Sequence, residues 1–198
     1  EGIAFVYNKD LVAEKYLPTD PLNFNDLLAK AKAFAADNPG KFLVCNQGLG
    51  NADPYHAAPI WFGFGMPSYV DDQGKVYFNT PEALKAAQWL VEFSKVAPKE
   101  TSHDICKANI VDKKVGAWWT GPWAIADLEK AGIKDGILPM GKPFVGIKSW
   151  ELTSNAVDRG NAEEAVKFMK WYTSAEVQKK LALANKTIPA NTKALKDP

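Results

Sequence analysis

Short apolar runs alternate along this chain with longer segments in which apolar residues recur at helical spacing. The runs at residues 3–7, 42–45 and 115–119 are of strand type, and a turn or polar loop follows each of them. Residues 24–34 and 80–94 instead place apolar side chains three or four positions apart, which is the spacing of helix faces. Because strands that alternate with helices pack in layers around a core, this pattern predicts an α/β fold.

Two of the predicted helices have clear start signals. Asn23 precedes the first helix, and Asp26 follows three positions later, as in a capping box. Asp53 precedes Pro54, which places a capping acid before a proline at the first helical position. The helix that begins at Thr80 carries apolar residues over a broad arc, so we expect burial on more than one side. The other predicted elements are a strand at 76–78, helices at 104–111 and 124–130, a strand at 136–138, an extended segment at 143–147, and helices at 162–172 and 174–184.

Charge and hydropathy exclude two classes of function. The 24 lysine and arginine residues nearly balance the 23 aspartate and glutamate residues, which gives a formal net charge of +1. Nucleic-acid-binding domains usually carry a clustered positive charge, so we expect no nucleic-acid partner. No apolar run approaches the roughly 20 residues that a membrane-spanning helix needs.

The two cysteines and two histidines form no metal-binding pattern. No Cys-x-x-Cys or His-x-x-x-His pair is present, and we predict neither a metal site nor a cofactor. Cys45 and Cys106 leave two alternatives open. They form a disulfide if the protein works outside the cytoplasm, or they are free thiols that pack as small apolar side chains.

Aromatic residues make up 12% of the 198 residues and include seven tryptophans. A tryptophan is costly to leave in water, so seven of them either build a core or line a binding site. Composition alone leaves both alternatives open.

Three short motifs, in order along the chain, resemble those of the maltose-type extracytoplasmic solute-binding proteins of ABC importers. Residues 7–11, Tyr-Asn-Lys-Asp-Leu, resemble the segment that follows the first crossing between the two lobes of that family. Residues 120–123, Thr-Gly-Pro-Trp, are similar to the family's Asn-Gly-Pro-Trp. Residues 142–146, Lys-Pro-Phe-Val-Gly, are similar to the second crossing.

This resemblance implies a periplasmic-binding-protein type II fold of two α/β lobes, of which the chain would supply about half. We expect residues 1–146 to form the second lobe, a mixed sheet flanked by helices. Residues 147–150 would be an interlobe crossing, and residues 151–198 a returning helical segment of the first lobe. The chain would then be an excised domain, a truncated piece, or a fragment whose missing lobe segments another chain supplies.

The same resemblance implies a function in sugar transport. We expect the intact protein to bind maltose or a maltodextrin and to present it to an ABC permease in the membrane. It would act in the periplasm or outside the cell, either free or lipid-anchored. Trehalose or another oligosaccharide is an alternative ligand. A glycoside hydrolase, which needs two carboxylates beside the scissile bond, and a protein-interaction module are alternative classes, and no motif supports an enzyme.

The resemblance also implies ligand-binding residues. Trp123 matches the family's stacking tryptophan, and Asp53, Pro54 and Tyr55 resemble a Glu-Pro-Tyr motif of maltodextrin binders. An aromatic ring stacks on the C–H face of a sugar, and a carboxylate accepts hydrogen bonds from sugar hydroxyls. Each residue has a structural alternative: Trp123 packs into the core, Asp53 caps a helix, and Tyr55 is a half-buried helix residue. For Asp53 the two roles are compatible.

Glu1 and His56 complete the predicted set of ligand-binding residues. Glu1 falls where the family has a ligand-contacting glutamate at the end of the first crossing. His56 either touches the ligand beside Tyr55 or lies on the helix surface.

The remaining tryptophans divide by their sequence context, and the expected core positions are Trp61, Trp89 and Trp171, which lie within helices. Trp118 and Trp119 are neighbours on one strand, so we expect one to face inward and the other outward, with one of them near the cleft. Trp150 either packs or has a role at the cleft or hinge.

Overall fold

The computed structural model describes residues 2–50 and 53–197 and divides them into two compact units. The larger unit spans Gly2–Phe144, and the smaller one begins at Val145. Glu1, one of the predicted ligand-binding residues, lies outside the described residues. No helix in the described part of the chain is both long and apolar enough to span a bilayer.

A four-stranded mixed sheet lies at the centre of the larger unit, in the order β2-β3-β1-β4. Its strands are β1 (Ala4–Asn8), β2 (Phe42–Cys45), β3 (Val115–Thr120) and β4 (Asp135–Leu138). β2 runs parallel to β3, whereas β1 pairs antiparallel with both β3 and β4. The predicted α/β class, with a mixed sheet flanked by helices, is confirmed.

Helices cover both faces of this sheet. The described helices of the larger unit are α1 (Phe24–Asp37), α2 (Pro54–Gly63), α3 (Pro81–Phe93), α4 (His103–Val111) and α5 (Ile125–Lys130). Residues of α1 and α3 pack with Trp119 in one buried cluster, and residues of α4 and α5 pack with Trp118 in another. The prediction that one of these tryptophans faces outward is therefore wrong. A strand that is covered on both faces buries both sets of alternating side chains.

The start of α1 is confirmed, although its capping differs in detail from a capping box. The Asn23 side chain accepts a hydrogen bond from the N–H of Asp26 at 3.0 Å. The Asp26 carboxylate accepts instead from the N–H of Thr19 at 3.3 Å and lies 3.2 Å from Nζ of Lys30. A side-chain cap at Asn23 is thus enough to start the helix.

One face of α3 is buried and the other is exposed. Trp89 is buried as predicted, and its indole N–H donates to the carbonyl of Phe24 at 2.8 Å. Leu84 and Val91 are 59% and 61% exposed, so the predicted burial on more than one side is wrong. The broad apolar arc reaches past the part of the helix that faces the core.

The segment between α2 and α3 contains less regular structure than predicted. The expected strand at 76–78 is reduced to an isolated bridge between Val70 and Val76. Trp61, predicted in the core, is only half-buried and lies against Phe78, with ring centres 5.2 Å apart. These aromatic rings therefore belong to the surface of the unit.

A disulfide links the sheet to the helix layer on one side. Cys45 at the end of β2 is joined to Cys106 in α4, 61 positions further along the chain. Both residues are fully buried in the cluster that contains Trp118. Of the two alternatives for the cysteines, the structure shows the disulfide.

The smaller unit consists of helices with an aromatic surface cluster. Its described helices are α6 (Ser154–Asp158), α7 (Ala162–Tyr172), α8 (Ala175–Asn185) and α9 (Thr192–Leu195). The ring of Trp150 packs 5.3 Å from that of Phe168 and 5.5 Å from that of Tyr172. Trp171 is 58% exposed, so its predicted core position is wrong. Helical spacing identifies an apolar face of a helix but not which element covers that face. Among residues 145–197, only Ala194 is buried.

Reduction of the disulfide should destabilise the protein. The bond closes a long loop, so its loss gives the unfolded chain more conformational freedom and lowers the free energy of unfolding by about 4 kcal/mol. Urea unfolding with and without dithiothreitol measures this difference. A Cys45→Ala/Cys106→Ala double variant is the control, because its midpoint should not respond to the reductant. Equal midpoints for the parent in both conditions would contradict the expectation.

Candidate functional site

The parallel pairing of β2 and β3 brings two loops to the same edge of the sheet. Cys45 pairs with Trp118, so the loop after β2 and the turn after β3 leave the sheet side by side. β1 begins at this edge as well, because Ala4 pairs with Thr120. In sheets with parallel strands, ligands usually bind beyond the carboxyl ends of the strands. The predicted site residues in α2 and after β3 lie at this edge.

The loop after β2 is hydrogen-bonded to the start of α2. Asn46 is buried, its amide N–H donates to the carbonyl of His56 at 3.0 Å, and its Oδ1 accepts from the N–H of Gly48 at 2.8 Å. A Cβ on Gly48 would lie 2.8 Å from the backbone nitrogen of Ala57, which is closer than carbon and nitrogen atoms approach. The absence of a side chain at Gly48 thus lets the loop lie directly on the helix.

Asp53 is the N-cap of α2 and also the centre of a polar network. Its Oδ1 accepts from the N–H of His56 at 3.1 Å, and its Oδ2 accepts from the Gln47 amide at 3.2 Å. Nδ1 of His56 lies 2.8 Å from Oδ2. Burial acts to raise the pKa of Asp53, but the His56 N–H, the Gln47 amide and the His56 ring outweigh it and hold the pKa below 3.8. Asp53 is therefore ionised, and its side chain is 27% exposed at this edge of the sheet.

His56 is buried within this network. Only 6% of it is exposed, so the alternative of a helix-surface histidine does not hold. Burial is the main cause of its lowered pKa, and the Asp53 carboxylate opposes that effect. The imidazole is therefore neutral at pH 7. Its ring centre lies 5.8 Å from that of Trp123 and 6.0 Å from that of Tyr55.

Trp123 and Tyr55 lie beside this polar network. Trp123 follows the Gly-Pro turn after β3, and its ring centre is 6.2 Å from that of Tyr55. A Cβ on Gly121 would lie 2.2 Å from the Trp123 ring, so glycine is required where the ring folds back over the turn. Both rings are half-buried, with one part on the core and another part open to solvent. Trp123, Asp53, Tyr55 and His56 are thus brought together, and Pro54 begins the helix that carries Tyr55 and His56 and is capped by Asp53.

Sequence reasoning missed three aromatic residues at this edge. Phe144 stacks on Tyr55 with ring centres 5.9 Å apart, and it also contacts Phe62 and Tyr69. The hydroxyl of Tyr69 donates to the carbonyl of Pro54 at 2.7 Å, and burial raises the pKa of Tyr69 to about 12. No local pattern could have indicated these contacts, because they join segments that are distant in the sequence.

The position of Phe144 follows from the way its segment docks on α2. The N–H of Lys142 donates to the carbonyl of Pro59 at 2.9 Å. Gly141 has φ +75°, and a Cβ there would lie 2.2 Å from the same carbonyl oxygen. Glycine allows both the left-handed backbone and the close approach. The segment after β4 is thereby held against α2, which brings Phe144 to Tyr55.

No metal site is formed by the described residues: within 2–50 and 53–197, no three histidine, cysteine or acidic residues lie close enough to hold an ion. What the edge offers a ligand is a set of aromatic faces, one ionised carboxylate and neutral polar groups. Such a surface suits a ligand that has apolar faces and hydroxyl groups.

Comparison with known proteins places the chain in a family. Residues 1–198 match the family model described as bacterial extracellular solute-binding protein. The chain belongs to this family. The resemblance of its motifs to such proteins is therefore confirmed, and the family and fold are those of solute-binding proteins, not of enzymes.

Solved structures of solute-binding proteins share the fold. This chain superimposes on a cyclo/maltodextrin-binding protein complexed with maltotetraose with a TM-score of 0.79 and 24% sequence identity. The match covers 100% of this chain and 52% of the other chain. The maltose/maltodextrin-binding domain MalE from Bdellovibrio bacteriovorus, bound to maltotriose, has a TM-score of 0.77 at 25% identity, with 99% and 54% covered. The predicted periplasmic-binding-protein type of fold is thus confirmed.

Curated relatives of this solute-binding protein include two from bacteria. A probable ABC transporter-binding protein of Deinococcus radiodurans is 28% identical over 96% of this chain and 50% of its own length. A galactooligosaccharide-binding protein of Bacillus subtilis is 25% identical over 85% of this chain and 43% of its own length. The chain spans about half the length of the relatives it matches.

The buried His56 should make the stability of this solute-binding protein depend on pH. Its pKa is below 6.5 in the folded state, so on acidification the unfolded chain binds a proton before the folded one does. The free energy of unfolding should therefore fall between pH about 7.5 and about 5, through the ordinary titration range of histidine. The pKa of Asp53 lies below its ordinary value of 3.8. Protonation of this carboxylate therefore lowers the free energy of unfolding only at pH values below this range.

Urea unfolding at both ends of this pH range measures the effect. His56→Gln keeps a neutral polar side chain at all pH values, and it should lose less stability on acidification than the parent does. An equal loss in the two proteins would mean that His56 does not cause it.

Proposed function

We propose that the intact protein is the sugar-binding component of an ABC importer and that its ligand is a maltose-type oligosaccharide. The observation that carries the proposal is the juxtaposition of Trp123, Tyr55 and the ionised Asp53 at one edge of the sheet. The fold that this chain shares with structures solved with maltotetraose and maltotriose supports it.

The chemistry of a sugar matches this edge. Pyranose rings have apolar C–H faces and hydroxyl groups around the rim, so they bind to aromatic faces flanked by hydrogen-bonding groups. We assign stacking to Trp123, and stacking or a hydrogen bond to Tyr55. We assign to Asp53 a hydrogen bond that its ionised carboxylate accepts from a sugar hydroxyl.

Two further predicted residues have supporting roles. His56 packs against both rings and fixes their spacing, and its buried, neutral imidazole adds a polar group behind them. Glu1, outside the described residues, is assigned a hydroxyl contact in the intact protein on the resemblance alone.

The proposed importer function also assigns parts of the chain to the two lobes. Residues 1–146 would form most of the second lobe, residues 147–150 a crossing, and residues 151–198 a returning segment of the first lobe. The lobes would close around the sugar by a hinge movement and present it to a membrane permease. The intact protein would do this outside the cytoplasm, either free or lipid-anchored.

Replacement of Trp123 tests the stacking assignment. Trp123→Ala removes the aromatic face and should raise the Kd for maltotriose about tenfold or more, because the stacking and the buried apolar area are both lost. Trp123→Phe keeps a smaller face and should have an intermediate Kd. Isothermal titration of the intact protein with maltose and maltotriose gives these constants. Unchanged affinity in Trp123→Ala would remove the assignment.

The same titration, carried out with a second sugar, distinguishes a maltose-type ligand from the alternative ligand. Similarity to a galactooligosaccharide-binding protein favours a galactooligosaccharide as the second candidate. The maltose-type proposal requires tighter binding of maltotriose than of galactobiose by the parent protein. Binding of galactobiose alone would replace the proposed ligand, and binding of neither sugar would overturn the proposal of a sugar importer of either kind.

Asp53→Asn separates the capping role of Asp53 from sugar binding. Asparagine is as good an N-cap as aspartate, so α2 should begin at the same residue. Its NH2 group cannot accept the hydrogen bond that Oδ2 accepts from Gln47, so the unfolding midpoint should fall, but by less than in Asp53→Ala. The loss of charge weakens the hydrogen bond to the sugar, and we expect a rise in Kd of about threefold to tenfold. If Asp53 is only a cap, Asp53→Asn will bind maltotriose like the parent protein, whereas Asp53→Ala will be less stable.

A further inference from the structure

A further pair of aromatic rings lies at the C-terminal end of α2. Trp61 and Phe78 meet there at an interplanar angle of 82° and line a groove of about 450 Å³. The rest of the lining comes from the first turns of α3 and the two residues before it: Asn79, Thr80, Pro81, Ala83, Leu84 and Ala87. We call this feature the Trp61–Phe78 groove. Its volume is within the range of about 300–1,000 Å³ that is usual for small-ligand sites.

The lining of the groove has a distinct chemical character. Phe78 is 50% exposed, and Leu84 is exposed as well, so the apolar surface is accessible to solvent. None of the described side chains that line the groove is charged. Asn79 supplies a polar side chain next to the rings, whereas the Thr80 hydroxyl caps α3, accepting from the N–H of Ala83 at 3.2 Å and donating to the carbonyl of Tyr77 at 3.0 Å. This combination suits an uncharged ligand that has apolar faces and hydroxyls, and it offers no partner for a charged one.

A continuous series of ring contacts connects this groove with the edge that carries Trp123. The series runs from Trp123 through Tyr55, Phe144, Tyr69 and Phe78 to Trp61. The ring centres along it are 6.2, 5.9, 5.7, 5.3 and 5.2 Å apart. The groove is therefore the far end of one aromatic surface that begins at the candidate sugar site.

We propose that the Trp61–Phe78 groove is a distal subsite for the same oligosaccharide whose first units bind at Trp123. The inference rests on the proposed function and makes it more specific, because it assigns the protein to longer oligosaccharides. The path from Trp123 to Trp61 passes four intervening rings whose centres are 5.2–6.2 Å apart, which is more than a disaccharide spans, whereas a longer chain would extend along those rings. Each added sugar unit would then contact the exposed part of another ring, and affinity would rise with chain length.

Comparison of maltose with maltohexaose tests this proposal in the intact protein. Titration of the parent should give a Kd for maltohexaose at least about fivefold lower than that for maltose. Trp61→Ala and Phe78→Ala should bring the two constants close together by weakening maltohexaose binding alone. Phe78→Ala is the milder change because Phe78 is 50% exposed whereas Trp61 is more buried, so it serves if Trp61→Ala impairs folding. Val91→Ala, an exposed position of α3 outside the groove, is the matched control and should bind like the parent.

The outcomes separate this proposal from the proposed function. An unchanged ratio of the two constants in both groove variants overturns the distal subsite and leaves the sugar site at Trp123 in place. Equal weakening of maltose and maltohexaose also overturns it, since the groove would then act only through the structure of α2. A parent protein that binds neither sugar overturns the proposed function and the subsite together.

Discussion

The burial of β3 on both faces is the constraint on which the larger unit depends. Its adjacent tryptophans point to opposite sides, and each is fully buried in a separate cluster. Two such large side chains can be kept from water only if helices cover the sheet on both sides. α1 and α3 meet this requirement on one side, and α4 and α5 on the other. The disulfide from β2 to α4 adds a covalent link on the second side.

The position of β3 in the sheet also creates the candidate site. Because β2 lies parallel beside it, the loop after β2 and the turn with Trp123 meet although they are far apart in the sequence. The polar groups of the loop then hold Asp53, while Gly141 and Pro59 hold the segment that carries Phe144. The aromatic and polar parts of the site thus come from three separate stretches of chain.

The sequence predicted correctly those elements whose formation depends on neighbouring residues. The start of α1 at Asn23, the run of β2 and the capping of α2 by Asp53 depend on neighbouring residues and were predicted correctly. The outward position expected for one of Trp118 and Trp119, and the core positions expected for Trp61 and Trp171, were wrong because burial depends on elements that pack from elsewhere. Part of the site could be found through motifs that resemble a family. The contacts of Phe144 and Tyr69 could not, since no spacing in the sequence marks residues that meet only after folding.

The hydrogen bonds of Asp53 also limit how the site can diverge. The carboxylate caps α2, accepts a hydrogen bond from Gln47 and lies at the candidate site, so a substitution of Asp53 alters the helix and the loop as well as the site. Residue types that still cap a helix, such as asparagine, serine and threonine, meet the first requirement without a negative charge. Under the proposed function, a change of ligand preference at this position is therefore confined to a short list of amino acids. The rings of Phe144 and Trp123 do not cap a helix. We therefore expect ligand preference to change first through substitutions at these two aromatic positions.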